Sequence, residues 1–114
     1  MAKKYNIKMF RGNTFYKIIK TKYEGNIDKI FFTARNEDDA AKICKSLNKG
    51  ITKIGNKNVY NLTLLPDDTN DLEIGVYEYD IEIHINDFVD TIFFGNLTLL
   101  KEQTRREQEE VQDV

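Results

Sequence analysis

"LEIGVYEYDIEIHI", residues 72–85, is the most regular stretch of the chain. Successive side chains of a strand point to opposite faces. Tyr77, Tyr79, Ile81, Ile83 and Ile85 therefore share one face, and Glu78, Asp80, Glu82 and His84 share the other. Alternation of this kind is what a sheet with one buried and one wet face produces. The stretch predicts a strand at the centre of a β-domain. Its acids and its lone histidine also have to be weighed as a site.

The flanks repeat the period. "NVYNLTLL" (58–65) places Val59, Asn61 and Thr63 on one side and Tyr60, Leu62 and Leu64 on the other. "PDDTND" (66–71) opens with the only proline and reads as a turn. "DTIFFGNLTLL" (90–100) is a further strand. Upstream, "YNIKMF" (5–10) sets Tyr5, Ile7 and Met9 on one face. The turn "RGN" (11–13) leads to "TFYKIIKTKY" (14–23), and "EGN" (24–26) separates that strand from "IDKIFFTA" (27–34). At "NEDDAAKICKSLNKG" (36–50) the period changes: Ala40, Ile43, Cys44 and Leu47 recur at helical spacing. Asn36 as N-cap, acids in the first turn, late lysines and Gly50 at the end predict a short helix. Six strands and one helix predict an antiparallel β-sandwich over residues 1–100, with Phe31, Leu62, Leu64, Tyr77, Ile81, Ile83 and Leu97 in its core. Residues 101–114 are mostly charged and read as a tail, disordered or a solvated helix.

A chain of 114 residues with 40% hydrophobic residues supports one domain and one core. The 17 basic and 19 acidic residues give a formal net charge of −2, which argues against nucleic-acid binding by bulk charge. Lys17, Lys20 and Lys22 alternate with aromatics, as on an oligonucleotide-binding barrel, but a strand with one wet side shows the same pattern. One cysteine, Cys44, allows no disulfide within the chain. The N-terminus has no long apolar run, and no stretch approaches the length of a membrane span, so the expectation is a protein made in the cytoplasm without a signal peptide.

Little in the sequence points to chemistry. One His and one Cys cannot supply the three or four ligands of a zinc site. Ser46 is the only serine and lies in no G-x-S-x-G turn, and Cys44 reads as a small core residue. A calcium site needs about six oxygens from a loop that wraps the ion. "PDDTND" is the better candidate for one, although capping aspartates explain it more simply. The expectation is no enzyme, no cofactor and no metal.

The order of "RGNTF", "KIFFTAR", "NVYNLTLLPDDTNDLEIGVYEYDIEI" and "DTIFFGNLTLLKEQT" resembles the small immunoglobulin-like domain at the N-terminus of phage baseplate upper proteins, and related small virion proteins. Asp68, Thr69, Leu72, Gly75, Tyr77, Tyr79, Asp80 and Ile81 fall on one run of that pattern. Thr91, Ile92, Gly95, Leu97, Thr98 and Leu99 fall on a second. The resemblance implies a mainly β, antiparallel immunoglobulin-like sandwich. It implies a non-enzymatic phage or prophage virion component of tail, baseplate or head, made in the host cytoplasm and assembled into the virion. Its partners would be other virion proteins or further copies of itself; no small-molecule substrate and no membrane are expected, and the charge balance disfavours nucleic acid. A small phage-encoded binding module that inhibits a host protein or a nucleic-acid enzyme is the alternative. The quoted stretch also resembles a tyrosine corner, with Leu72 and Gly75 shaping the turn and Tyr77 pinning it more firmly than Tyr79 would.

Overall fold

The computed structural model describes residues 2–102. Nine strands and one short helix follow in the order β1 (Lys3–Lys4), β2 (Ile7–Phe10), β3 (Phe15–Lys20), β4 (Lys29–Arg35), β5 (Ala41–Leu47), β6 (Gly50–Lys53), β7 (Val59–Leu64), α1 (Pro66–Thr69), β8 (Gly75–Ile85) and β9 (Phe88–Leu100). Hydrogen bonding runs along β1-β9-β8-β4-β5-β6-β7-β3, with β2 also on β9. The path folds over at β5–β6, where only Ser46 with Gly50 and Leu47 with Ile51 pair. One core forms between the layer β9, β8, β4, β5 and the layer β6, β7, β3: Ile30, Phe32, Ala34, Tyr79, Ile81 and Leu97 meet Ile19, Ile51, Tyr60, Leu62 and Leu64 in it. The protein is an immunoglobulin-like β-sandwich, mainly β with one short helix. Its pairings are antiparallel apart from β1 and β2 on β9 and β5 on β6.

The period of the quoted stretch decides β8. Tyr77, Tyr79, Ile81 and Ile83 are buried, and Glu78, Asp80, Glu82 and His84 face out. β4 follows the same parity because Phe32 pairs with Ile81 and Phe31 with Glu82. The Phe31–Phe32 doublet cannot turn both rings inward, so Phe32 fills the core and Phe31 is 36% exposed. The expectation of Phe31 in the core is therefore corrected, whereas Leu62, Leu64, Tyr77, Ile81, Ile83 and Leu97 are all buried. In β2, Ile7 and Met9 are buried and Tyr5 lies outside.

The helix expected over 36–50 is corrected to a turn, the strand β5 and a second turn. Asn36 does accept from the backbone, but its Oδ1 takes the amides of Asp38 (3.1 Å) and Ala40 (3.2 Å) inside a tight turn. Asp39 (φ 60°) and Asn48 (φ 69°) adopt left-handed backbone that no helix contains. Residues that cap helices also close turns, and pairing with β4 overrode the helical spacing. Of the four spaced residues only Ile43 is fully buried, and Cys44 is exposed on the outer side, not packed in the core. The helix that exists, α1, lies in "PDDT", the stretch expected to be a turn. Asp68 closes its first turn by accepting from the Leu65 amide (2.7 Å) and receives Lys45 Nζ at 2.7 Å.

Two glycines are required for different reasons. Gly75 starts β8 at φ 140°, with open space where a side chain would be. At Gly95 a Cβ would lie 2.3 Å from the Tyr5 carbonyl oxygen, so the link between β1 and β2 lies against β9 only because no side chain intervenes. Most of the expected tail, residues 103–114, lies outside the described residues.

Candidate functional site

Leu72, Gly75 and Tyr77, the residues expected to shape the corner, lie just before and at the start of β8. Tyr77 Oη donates to the Glu73 carbonyl at 2.6 Å, four residues upstream. Half-buried Leu72 packs on the core, and its carbonyl accepts from Arg11 Nη1 at 3.1 Å. The "RGN" turn docks on the same corner: the Gly12 amide donates to the fully buried Thr69 hydroxyl at 2.7 Å. Arg11 also grips Glu102 with two nitrogens, at 3.0 and 3.2 Å. Sequence reasoning singled out Tyr77 and missed Tyr79, whose hydroxyl donates to the Tyr5 carbonyl at 2.5 Å. Burial pushes the Tyr79 phenol up to about 12, and neighbouring Tyr5 adds to the shift. All these contacts are structural.

The surface with potential for function is the outer face of the β9-β8-β4-β5 layer. The register sets its rows: Val89, His84 and Lys29; then Thr91, Glu82, Phe31 and Ser46; then Phe94, Asp80, Thr33 and Cys44; then Asn96, Glu78, Arg35 and Ala41. The acids expected on a wet face are there, but aromatic and apolar groups stand among them. Phe31, Phe94 (41%) and Val89 (52%) are exposed on this face. The Phe31 and His84 rings meet edge to face at 5.2 Å, and His84 Nε2 lies 2.7 Å from Glu82 Oε1. A shallow cleft of about 400 Å³ runs beside them, lined by Lys4, Thr33, Arg35, Asp80 and Phe94 among others. Asp80 lines it, its carboxyl raised above the ordinary range by burial and by neighbouring Glu82, with Arg35 opposing the shift.

This arrangement suits contact better than chemistry. His84 is hydrogen-bonded to Glu82 and to neither Ser46 nor Cys44. Among the described residues no group of three or more His, Cys, Asp and Glu is placed to hold a metal ion. Two of the three carboxylates of "PDDTND" are engaged within the fold: Asp68 by Lys45 and the Leu65 amide, Asp67 by Asn70. Among the described residues no helix is long and apolar enough to cross a membrane. No single motif marks the face, because Phe31 and Phe94 become visible only once the parity of β4 and β9 is known.

No protein-family model matches the chain. No curated protein matches it significantly. Among solved structures it is similar to a chain of the ZIG-8–RIG-5 IG1–IG1 heterodimer, at 18% identity and a TM-score of 0.47 over 89% of this chain and 84% of that one. It is also similar to the extracellular domain of the voltage-gated sodium channel β4 subunit, described in parallel homodimers, at 14% identity and a TM-score of 0.49 over 90% of this chain and 95% of that one.

Proposed function

We propose that this protein is a non-enzymatic assembly domain that binds another protein through the outer face of the β9-β8-β4-β5 layer, in a phage or prophage virion. The observation that carries the assembly role is the exposure of Phe31 and Phe94 on either side of the Asp80–Glu82 strand. Aromatic anchors within a polar surround are the composition of a protein-binding patch. The sequence pattern at residues 68–81 and 91–99 supports the virion setting. A DNA-mimicking inhibitor is less favoured, because Lys29 and Arg35 interrupt the row of acids and leave no uniform negative field.

The test is incorporation. The full chain and its Phe31→Asp/Phe94→Asp variant are expressed during phage assembly, and copies per purified particle are counted by quantitative mass spectrometry. The wild type is expected at a fixed stoichiometry and the variant at less than about a tenth of it, which corresponds to about 1.4 kcal/mol of lost binding. Absence of the wild type from particles refutes the virion setting. Equal incorporation of both refutes the face.

A further inference from the structure

β3 ends the hydrogen-bonded path, and the parity of its ladder shows which backbone groups are left over. In an antiparallel pair, opposed residues alternate between exchanging both hydrogen bonds and exchanging none. The Thr21 amide donates to the Asn58 carbonyl at 3.2 Å, one step beyond the Lys20–Val59 pair. Counting back from there, Ile19, Lys17 and Phe15 bond to β7, and the N–H and C=O groups of Lys20, Ile18 and Tyr16 point away from it. The other side of β7 agrees: Val59 is bonded to Ile54 of the β6 side. No described residue pairs with the outward groups of β3. The side chains on the solvent face of this edge are Tyr16, 65% exposed, Ile18, 51% exposed, and Lys20.

We propose that β3 pairs antiparallel with β3 of a second copy, about a two-fold axis through Ile18. In that register Ile18 lies opposite Ile18 of the second copy and Tyr16 lies opposite its Lys20, the pairs whose backbone groups are free. The two exposed apolar side chains are covered, and an ammonium is set against a phenol ring, not against another ammonium. This self-complementarity is why a second copy is the occupant. The pairing is isologous and uses β3 once in each protomer, so it closes at a dimer.

Lys17 is the apparent obstacle, since an inward-pointing charge on an edge strand usually discourages docking. Its ammonium, however, lies 3.6 Å from the centre of the Tyr5 ring and 4.7 Å from that of Phe93 in its own protomer. In the proposed register it falls opposite the buried Ile19 of the second copy, so no like charges are opposed.

The β3 edge belongs to the layer opposite the Phe31–Phe94 face, so each reading can fail alone. Analytical ultracentrifugation of the full chain from about 10 µM to about 1 mM spans the range in which weak interfaces appear. Hydrogen exchange at both ends of that range reads the parity. Dimer is expected to grow with concentration, and the amides of Tyr16, Ile18 and Lys20 to become protected with it. Those of Phe15, Lys17 and Ile19 are expected to be protected throughout. Ile18→Pro removes an N–H that the β7 ladder does not use, so it is expected to keep the fold and lose the dimer. Ile18→Lys, which leaves the backbone unchanged, is expected to weaken association at least tenfold. A monomer at every concentration, a dimer without alternating protection, or Ile18→Lys dimerising like the wild type each overturns the inference. Loss of the dimer in Phe31→Asp alone overturns it too and assigns association to the other face.

Discussion

Tyr77 and Tyr79 lie two residues apart on one face of β8; Tyr77 bonds backbone of the turn just before it, and Tyr79 bonds backbone near the N-terminus. A buried hydrogen bond contributes about 1 kcal/mol net. Tyr77→Phe and Tyr79→Phe are each expected to cost about that much in chemical denaturation, with Tyr79 at least equal. The Tyr79 phenol is held up to about 12 in the folded protein, against about 10 for an unfolded tyrosine. Between those values the folded state retains a proton that the unfolded state has lost, so stability falls as pH rises through that window. A melting curve recorded from pH 9 to about pH 12 should decline for the wild type and decline less for Tyr79→Phe. Thr69 offers a separate check. Thr69→Val keeps its shape but leaves the Gly12 amide without its acceptor, which should cost about 1–3 kcal/mol. A loss within error of zero would mean that water replaces the hydroxyl.

At the scale of elements, parity separates neighbours. Ile81 is fully buried between the layers, so Ile81→Ala should lose about 2–5 kcal/mol, the range for cutting a large aliphatic from a packed core. Phe31→Ala, one position from the buried Phe32, should lose less than about 1 kcal/mol, as at an exposed site. Equal losses would show that the β4 ring positions are exchanged. This parity could be read in β8 and β7 because their alternation is strict. It could not be read in β4, where two phenylalanines adjoin and only the partner strand chooses between them. β5 was hidden altogether, since its helical spacing is local and its strand pairing is not. The rows of the outer face inherit those gaps: the acids were visible and the aromatics beside them were not. Asp80 gives the face a titration of its own. Its carboxyl is raised in the folded state, so the folded protein binds the proton more tightly, and the charge costs stability at neutral pH. Asp80→Asn should therefore raise the melting temperature at pH 7, and the gain should shrink toward pH 3, where both states are protonated. A gain independent of pH would place its cause elsewhere.

For the whole molecule, the decisive contact is the one that closes the chain on itself. β9 lies beside β2, and the chain then reaches Glu102, which Arg11 holds with two nitrogens while its third reaches the Leu72 carbonyl. The composition of 101–114 suggested a boundary after residue 100, because charge runs give no sign of which carboxylate finds a partner. Arg11 binds one carboxylate from that run and a carbonyl from the corner before β8, so it joins three distant segments of the fold. Both Arg11 and Glu102 side chains are about a quarter exposed, at 27% and 25%. Solvent screening keeps the contribution of such a pair small even with two-point geometry. Two truncations separate pair from tail. A chain ending at Glu102 should melt within error of full length, and a chain ending at Lys101 should melt slightly lower, by a few degrees at most. In Arg11→Met, where this ion pair is already lost, the difference between the two truncations should shrink. A difference as large as in the wild-type background would show that residue 102 acts through contacts other than this ion pair.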